Sequence, residues 1–386
     1  MDLTDRVNSI EHSATLQVKE SIFRLREEGV DVINMAPGAP DFDTPEHIRE
    51  AGKRALDEGK TSTTEAKGIP ELREAIARKL REENDVEADP DRIITTPGSK
   101  FSLFAAIQAT IEEGDEAVVL DPSWVSYRQM VRLAGGEIQP VKLSATDGFH
   151  LDEDALADAV DDDTSVLVLN NPCNPTGVVF SRDELGVIRD LAVDHDVTVI
   201  SDEIYETLRY GPDFHAMASL SGMADRTITV NGFSKAYAMT GWRLGYCAAP
   251  ANLIDAVEKI QSHAVSCPVS FVQHGGVAAL TGPTEPTEAM RATYEDRLEA
   301  MVTSLREAGV EVNAPEGAFY TFPRITDGDD VALCEEMLQE EGVAFAPGTA
   351  FGQPGHVRIS ATTSADRIRR GISAVEDYLA AAPPVS

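Results

Sequence analysis

Between about residues 92 and 250, short runs of Val, Ile and Leu interrupt longer stretches of mixed polarity: IITT from 93, EAVVLD from 116, SVLVLN from 165, VTVISDE from 197, TITVNGF from 227 and LGYCAA from 244. These runs are too continuously apolar to have one wet face. They predict strands covered on both sides, and the amphipathic intervals predict the covering helices. Alternation of this kind gives a mostly parallel α/β sheet. After about residue 283 the pattern changes to one long charged helix, short strands around AFYTF and HVRIS, and a last helix through Arg369 and Tyr378. That is an α+β pattern, and it predicts a smaller second unit completed by residues before about 45. The expected division is an N-terminal arm with part of the small domain at 1–45, a large domain at 46–283, and the C-terminal part of the small domain at 284–386.

Composition narrows the class. Hydrophobic residues make up 42% of the 386, and the 28 Gly and 21 Pro are spread along the chain, which excludes collagenous and largely disordered proteins. The 33 basic against 66 acidic residues leave a net charge of −33, and such a surface repels phosphate backbones, so no nucleic-acid partner is expected. So large a charge of one sign opposes compaction unless salt screens it, which predicts a halophilic protein; the plainer alternative is an ordinary acidic enzyme. No apolar run reaches the roughly 18 to 20 residues of a membrane span, and the first twenty residues lack a signal peptide's apolar stretch, so a cytoplasmic protein with no membrane association is expected. Cys173, Cys247, Cys267 and Cys334 form no CxxC pair and read as buried thiols, and the eight His contain no metal-binding spacing, so no metal is expected.

Ligands in open α/β sheets sit beyond the carboxyl ends of the strands. Three strand ends here carry unusual residues: NNPCNPTG at 170–177, SDEIY at 201–205 and NGFSKAYAMTGWR at 231–243. A fourth stretch, Gly98, Ser99 and Lys100, lies in the turn before a helix expected over Ser102 to Ala109. Exposed amides at a helix start bind phosphate, although a simple cap accounts equally well for Gly-Ser there. Asp202 ends an apolar strand, where a carboxylate can hold a heteroaromatic nitrogen protonated; the plainer reading caps a helical segment from Ile204, with Ser201 as the other candidate cap. Lys235 lies among small and apolar residues, and a desolvated amine near other cations loses its proton readily, as Schiff-base chemistry requires. Seen without its context, the better reading of a single lysine is a solvated loop residue. Ser234 and Arg243 complete a set suited to one anionic carbonyl cofactor.

The order of these motifs resembles that of the fold type I pyridoxal-phosphate aminotransferases of class I and II, particularly the aspartate aminotransferase-like branch. The likeness runs through nearly the whole chain: PGAPDFDTPEHI at 37, GIPELREAIA at 68, GDEAVVLDPSWVSY at 114, NNPCNPTG at 170, SDEIYE at 201, SKAYAMTGWRLGY at 234, GAFYTF at 317, then PGTAFG and HVRISAT. It implies a seven-stranded, mostly parallel large domain that binds pyridoxal 5'-phosphate, a smaller α+β domain and a homodimer. It implies that Lys235 bonds the cofactor carbonyl and shuttles the proton, Asp202 pairs with the pyridine nitrogen, and Tyr205 and Asn174 bond the ring oxygen. Trp124 would stack on the ring; Gly98, Ser99, Lys100, Ser234 and Arg243 would hold the phosphate. On the substrate side it implies Arg358 for the α-carboxylate, with Gly38, Trp124 and Asn174 beside it, and Lys100 as an alternative contact for a distal carboxylate. A cis Asn174–Pro175 bond also follows from it.

The implied reaction is a ping-pong exchange between an L-amino acid and a 2-oxo acid, with glutamate and 2-oxoglutarate as the common pair. Aspartate is the first expected partner and aromatic amino acids the second. A carbon-sulfur β-lyase would keep the same Lys, Asp and Arg. A non-catalytic regulatory protein is disfavoured, because only about 35 residues precede PGAPDF and the charge repels DNA. Two positions depart from the family pattern. Thr63 stands where a Tyr usually reaches the neighbouring subunit's cofactor phosphate, leaving Thr63, Lys60 or Lys67 as replacements, and GAP replaces the commoner GEP, leaving Ala39 uncharged.

Overall fold

A computed structural model of the protein describes residues 3–10 and 14–381. In chain order its strands are β1 (Ile33–Asn34), β2 (Ile93–Thr96), β3 (Glu116–Asp121), β4 (Glu137–Lys142), β5 (Thr164–Asn170), β6 (Thr198–Asp202), β7 (Thr227–Gly232), β8 (Gly245–Ala248), β9 (Tyr320–Thr321), β10 (Val343–Ala344), β11 (Ala346–Pro347) and β12 (Val357–Ser360). Strands β2 to β8 form one seven-stranded sheet in the order 2-8-7-6-5-3-4. Only β8 runs antiparallel to its neighbours, so this is the mostly parallel α/β sheet the apolar runs predict. Strand β4 has no such signal in the sequence. It pairs on one side only and buries Val141 alone, so a polar edge segment containing Pro140 suffices.

Strand β5 serves two cores. Val166 and Val168 of β5 pack with Leu103 and Ile107 of the helix Ser99–Thr110, while Leu167 and Leu169 pack on the other face with Leu185 and Ile188 of the helix Arg182–Asp194. The alternation follows from the two-residue side-chain period of a strand. Register then brings the unusual strand ends together: Asn170 pairs with Asp202, Gly232 with Gly245, and Gly245 with Thr96.

The helix Glu285–Glu307 buries Met290, Tyr294, Leu298, Met301 and Leu305 against the helix Ala365–Ala381 and the sheet β11-β12-β9. Before residue 45, β1 pairs with β10, and the Asp41 carboxylate accepts from Arg297 at 2.8 Å and Tyr294 at 3.1 Å.

Four local expectations need correction. The helix after the glycine turn begins at Ser99 rather than Ser102, because Gly98 adopts φ +90° and ends the turn at once. Residues after Ile204 form turns rather than a capped helix, and the Ser201 hydroxyl donates to Glu203 at 2.9 Å instead of capping. The cis bonds of this region are Asn171–Pro172 and Asp121–Pro122, and Asn174–Pro175 is not among them. Cys173, Cys247 and Cys334 are buried as expected, but Cys267 is only half-buried, where its Sγ meets the Thr64 amide.

Candidate active site

Strand β6 delivers Asp202 into a buried position, 4% exposed, at the carboxyl end of the sheet. The Tyr127 hydroxyl donates to its Oδ2 at 2.6 Å and the Ile204 amide to its Oδ1 at 3.3 Å. Burial lifts its pKa from 3.8 to about 6, against the opposing pull of the Tyr127 hydrogen bond and of Lys235. It is therefore a carboxylate at neutral pH, held where water does not stabilise it. Asn170, beside it in the sheet, donates to the Asp202 carbonyl at 2.9 Å and accepts from the Asn174 amide at 2.8 Å, which fixes the NPTG loop to the strand end.

Lys235 follows β7, and its Nζ donates to the Gly38 carbonyl, with the rings of Tyr205 and Phe319 at 5.6 and 5.7 Å. Burial, then the positive charges of Arg358, Arg243 and Lys100, lower its pKa from 10.5 to about 7, outweighing Asp202. About half of such an amine carries no proton at pH 7. The backbone at Gly38 leaves no room for a side chain: a Cβ there would stand 2.7 Å from the Tyr320 hydroxyl and 3.7 Å from Arg358 Nη2.

Arg358 lies on β12, 2% exposed, between the rings of Tyr320 and Phe351 at 4.5 and 4.8 Å. Its Nη1 donates to Asn174 Oδ1 at 2.9 Å and its Nη2 to the Ala36 carbonyl at 2.8 Å, while its buried Nε has no partner among the described residues. The Tyr205 hydroxyl pairs with that of Tyr320 at 2.9 Å, a single bond that leaves it capacity for one further partner.

On the opposite side, Gly98 lies so close to Arg243 that a Cβ would come within 2.6 Å of Nη2. Gly232 and Gly245 admit the same turn, since a Cβ on either would meet Ser99 at 2.5 or 2.3 Å. The first helical bond runs from Phe101 to Gly98, which leaves the Ser99 and Lys100 amides ahead of it at the positive end of the helix. The Ser99 hydroxyl donates to the Asn231 carbonyl at 3.0 Å, and buried Ser234 adjoins Lys235. Lys100 Nζ lies 4.7 Å over Trp124, whose ring meets Tyr127 edge-on at 5.3 Å, linking this side back to Asp202. Desolvation, then Arg243, lowers the Lys100 pKa.

The fold thus brings Gly38, Gly98, Ser99, Lys100, Trp124, Asn174, Asp202, Tyr205, Ser234, Lys235, Arg243 and Arg358 into one linked neighbourhood. Sequence reasoning passed over Tyr127, Asn170 and Tyr320, although all three lie inside the motifs quoted above. Their hydroxyl and amide groups act through partners distant in sequence, and no spacing rule reveals that. Thr63 and Lys60 are exposed, and Lys67 is spent on Asp255 at 3.3 Å and Glu258 at 3.5 Å.

A lysine amine of lowered pKa, a buried carboxylate and an arginine with an open donor suit one class, enzymes that handle carboxylate substrates by imine chemistry. The family described as aminotransferase class I and II matches residues 30–375, so this chain belongs to that family and is a transaminase. It is 38% identical to the aspartate aminotransferase of Bacillus subtilis, across 98% of this chain and 99% of that one. It is 40% identical to the aspartate/prephenate aminotransferase of Thermus thermophilus, across 96% and 97%. Among solved structures it resembles the Thermus thermophilus aspartate aminotransferase with maleate, at a TM-score of 0.94 and 39% identity over 98% and 99% of the two chains. An aromatic aminotransferase from Pyrococcus horikoshii gives 0.89 and 42% over 94% and 98%. Among the described residues no helix is long and apolar enough to cross a membrane.

The family implies pyridoxal phosphate, and the residues present fit it. The Gly98 turn with Ser99, Ser234 and Arg243 suits the phosphate, Asp202 suits a cationic ring nitrogen, and the Lys235 amine suits the carbonyl.

Proposed function

We propose that this transaminase exchanges the amino group of aspartate with 2-oxoglutarate, with aromatic amino acids as second-choice donors. The observation that carries the reading is Arg358: a buried guanidinium held by Asn174 and Ala36, with its Nε unpaired, beside the amine of Lys235. A substrate carboxylate supplies the missing acceptor and offsets the burial of that charge. Lys100, a cation over Trp124, is the candidate for the second carboxylate of a dicarboxylic substrate. The names of the relatives, aspartate, aspartate/prephenate and aromatic aminotransferase, support the same choice of substrates.

Bound pyridoxal phosphate would supply an electron sink for the substrate's α-carbon. Asp202 holds a full negative charge where the ring nitrogen would lie, and Tyr127 and Asn170 keep it in place. Arg358 orients the substrate by its carboxylate. Lys235 Nζ takes the substrate's α-proton and holds it as an ammonium before giving it up again, a task suited to an amine near neutral pKa. Gly38 lets its own backbone approach the substrate, where a Cβ would also crowd Tyr320 and Arg358.

The division at residues 45 and 283 suits this chemistry, because Gly38 and Arg358 reach the site from the small unit and Lys235 from the large sheet. A homodimer, with the exposed Thr63 segment as a candidate contributor to a neighbour's phosphate site, and a cytoplasmic location belong to the same reading.

The test is the absorbance spectrum of the holoenzyme in high salt as glutamate, aspartate, alanine, aromatic amino acids and cystathionine are added singly. Conversion of the lysine-bound cofactor band to the amine form, fastest with glutamate and aspartate and with the matching oxo acid released, is expected. Release of pyruvate and ammonia without that conversion would mean a lyase and overturn the proposal.

A further inference from the structure

Behind the site lies a charged network that the mechanism above does not use. Glu206, one residue beyond Tyr205, is 6% exposed and pairs with Lys79, 7% exposed, on the helix Pro70–Asn84. Asn84 accepts from Lys79 at 2.6 Å and donates to Glu206 Oε2 at 2.6 Å. Lys79 also lies 3.9 Å from Glu83, and Asn231 Nδ2 donates to Glu206 Oε1 at 2.8 Å. Asn231 is doubly fixed: its Oδ1 accepts from the Gly232 amide at 2.7 Å, and its carbonyl accepts the Ser99 hydroxyl at 3.0 Å.

Stability alone does not call for these charges. Taking both out of water is expensive, and apolar residues of similar volume often serve a fold as well or better. What the network does supply is geometry. It ties the turn after Asp202 to the segment that begins four residues before Lys235, and through the Asn231 carbonyl to the start of the helix at Ser99.

We infer that Glu206 is a positioning residue: its carboxylate, backed by Lys79 and Asn84, fixes the Asn231 amide and so sets the spacing of the Asp202 turn, the Lys235 segment and the Ser99 turn. This rests on the cofactor site proposed above. Asn231, Gly232 and Ser99 are then aligned by a group that touches neither substrate nor cofactor.

The test compares the double variant Glu206→Leu/Lys79→Met, the single variant Asn231→Ala and the rescue Glu206→Gln/Lys79→Met. Each is read by the dissociation constant of pyridoxal phosphate, from its release on dilution of the holoenzyme, and by the urea midpoint. The Leu/Met double strands the buried Asn84 side chain, so its midpoint is expected to fall, while the dissociation constant rises about tenfold, the effect of losing one charge-assisted hydrogen bond to Asn231. Asn231→Ala, with the ion pair intact, gives the same rise. The Gln/Met double keeps an acceptor for Asn231 and returns the constant to within about threefold of the parent. Parental cofactor affinity in Asn231→Ala, or in the Leu/Met double, overturns the inference, and the first of these decides it even where the double fails to fold. Lys235→Ala is measured alongside: if it keeps the lysine-bound absorbance band, the site reading itself is wrong.

Discussion

The buried charge of Asp202 allows a quantitative test by Asp202→Asn in the cofactor-free protein. The substitution keeps the shape and an oxygen able to accept from Tyr127, and removes the titration. The sign follows from the direction of the shift: a carboxyl raised from 3.8 to about 6 binds its proton more tightly in the folded than in the unfolded state. Folding stability therefore falls as pH rises through that window, and the penalty is complete above pH 6. Linkage gives a cost of about 0.6 kcal/mol at pH 4 and about 3 kcal/mol at pH 7.5. Asn carries no such cost, and any constant offset between the two side chains cancels between pH values. The stability advantage of the variant should thus grow by about 2 kcal/mol from pH 4 to pH 7.5. The assay is urea denaturation of both proteins, stripped of cofactor, at fixed molar salt across that range. A difference that stays flat with pH, or that favours the parent more at pH 7.5, refutes the argument that burial dominates the Asp202 site. Turnover of the reconstituted variant should fall at least about a hundredfold, since the gain in stability comes from removing the charge the ring nitrogen needs.

Three further outcomes follow from the same geometry. Arg358→Lys loses the fork that spans Asn174 and Ala36, so the KM for amino acid and oxo acid should both rise by about tenfold or more in steady-state kinetics, and unchanged KM values would remove Arg358 from the carboxylate site. Gly38→Ala puts a methyl 2.7 Å from the Tyr320 hydroxyl, itself tied to Tyr205; kcat/KM should drop at least about tenfold, and a variant with parental kinetics would show that the close approach is not required. With a net charge of −33, the melting temperature should climb from dilute buffer to molar potassium chloride, and a salt-independent melting temperature would leave an ordinary acidic enzyme.

The sequence by itself determined the parts whose physics is local. Apolar runs specify six of the large sheet's strands because each buries both faces, and the spacing of Met290, Tyr294, Leu298, Met301 and Leu305 specifies a helix with one buried stripe. Ordered motifs named the lysine, the aspartate and the arginines, since their chemistry needs those residue types. Strand β4 was illegible because an edge strand buries one side chain and needs no apolar pattern. The start of the helix at Ser99 was missed because a glycine at φ +90° can end a turn in one residue. Tertiary structure alone decided that Tyr127, 75 residues from Asp202 in sequence, holds its carboxylate, and that Tyr205 bonds Tyr320. It also decided that Glu206, Lys79, Asn84 and Asn231 share one buried network. Hydrogen bonds between residues so far apart leave no period in the chain, and burial, which sets the Asp202 and Lys235 pKa values, is a property of the whole fold.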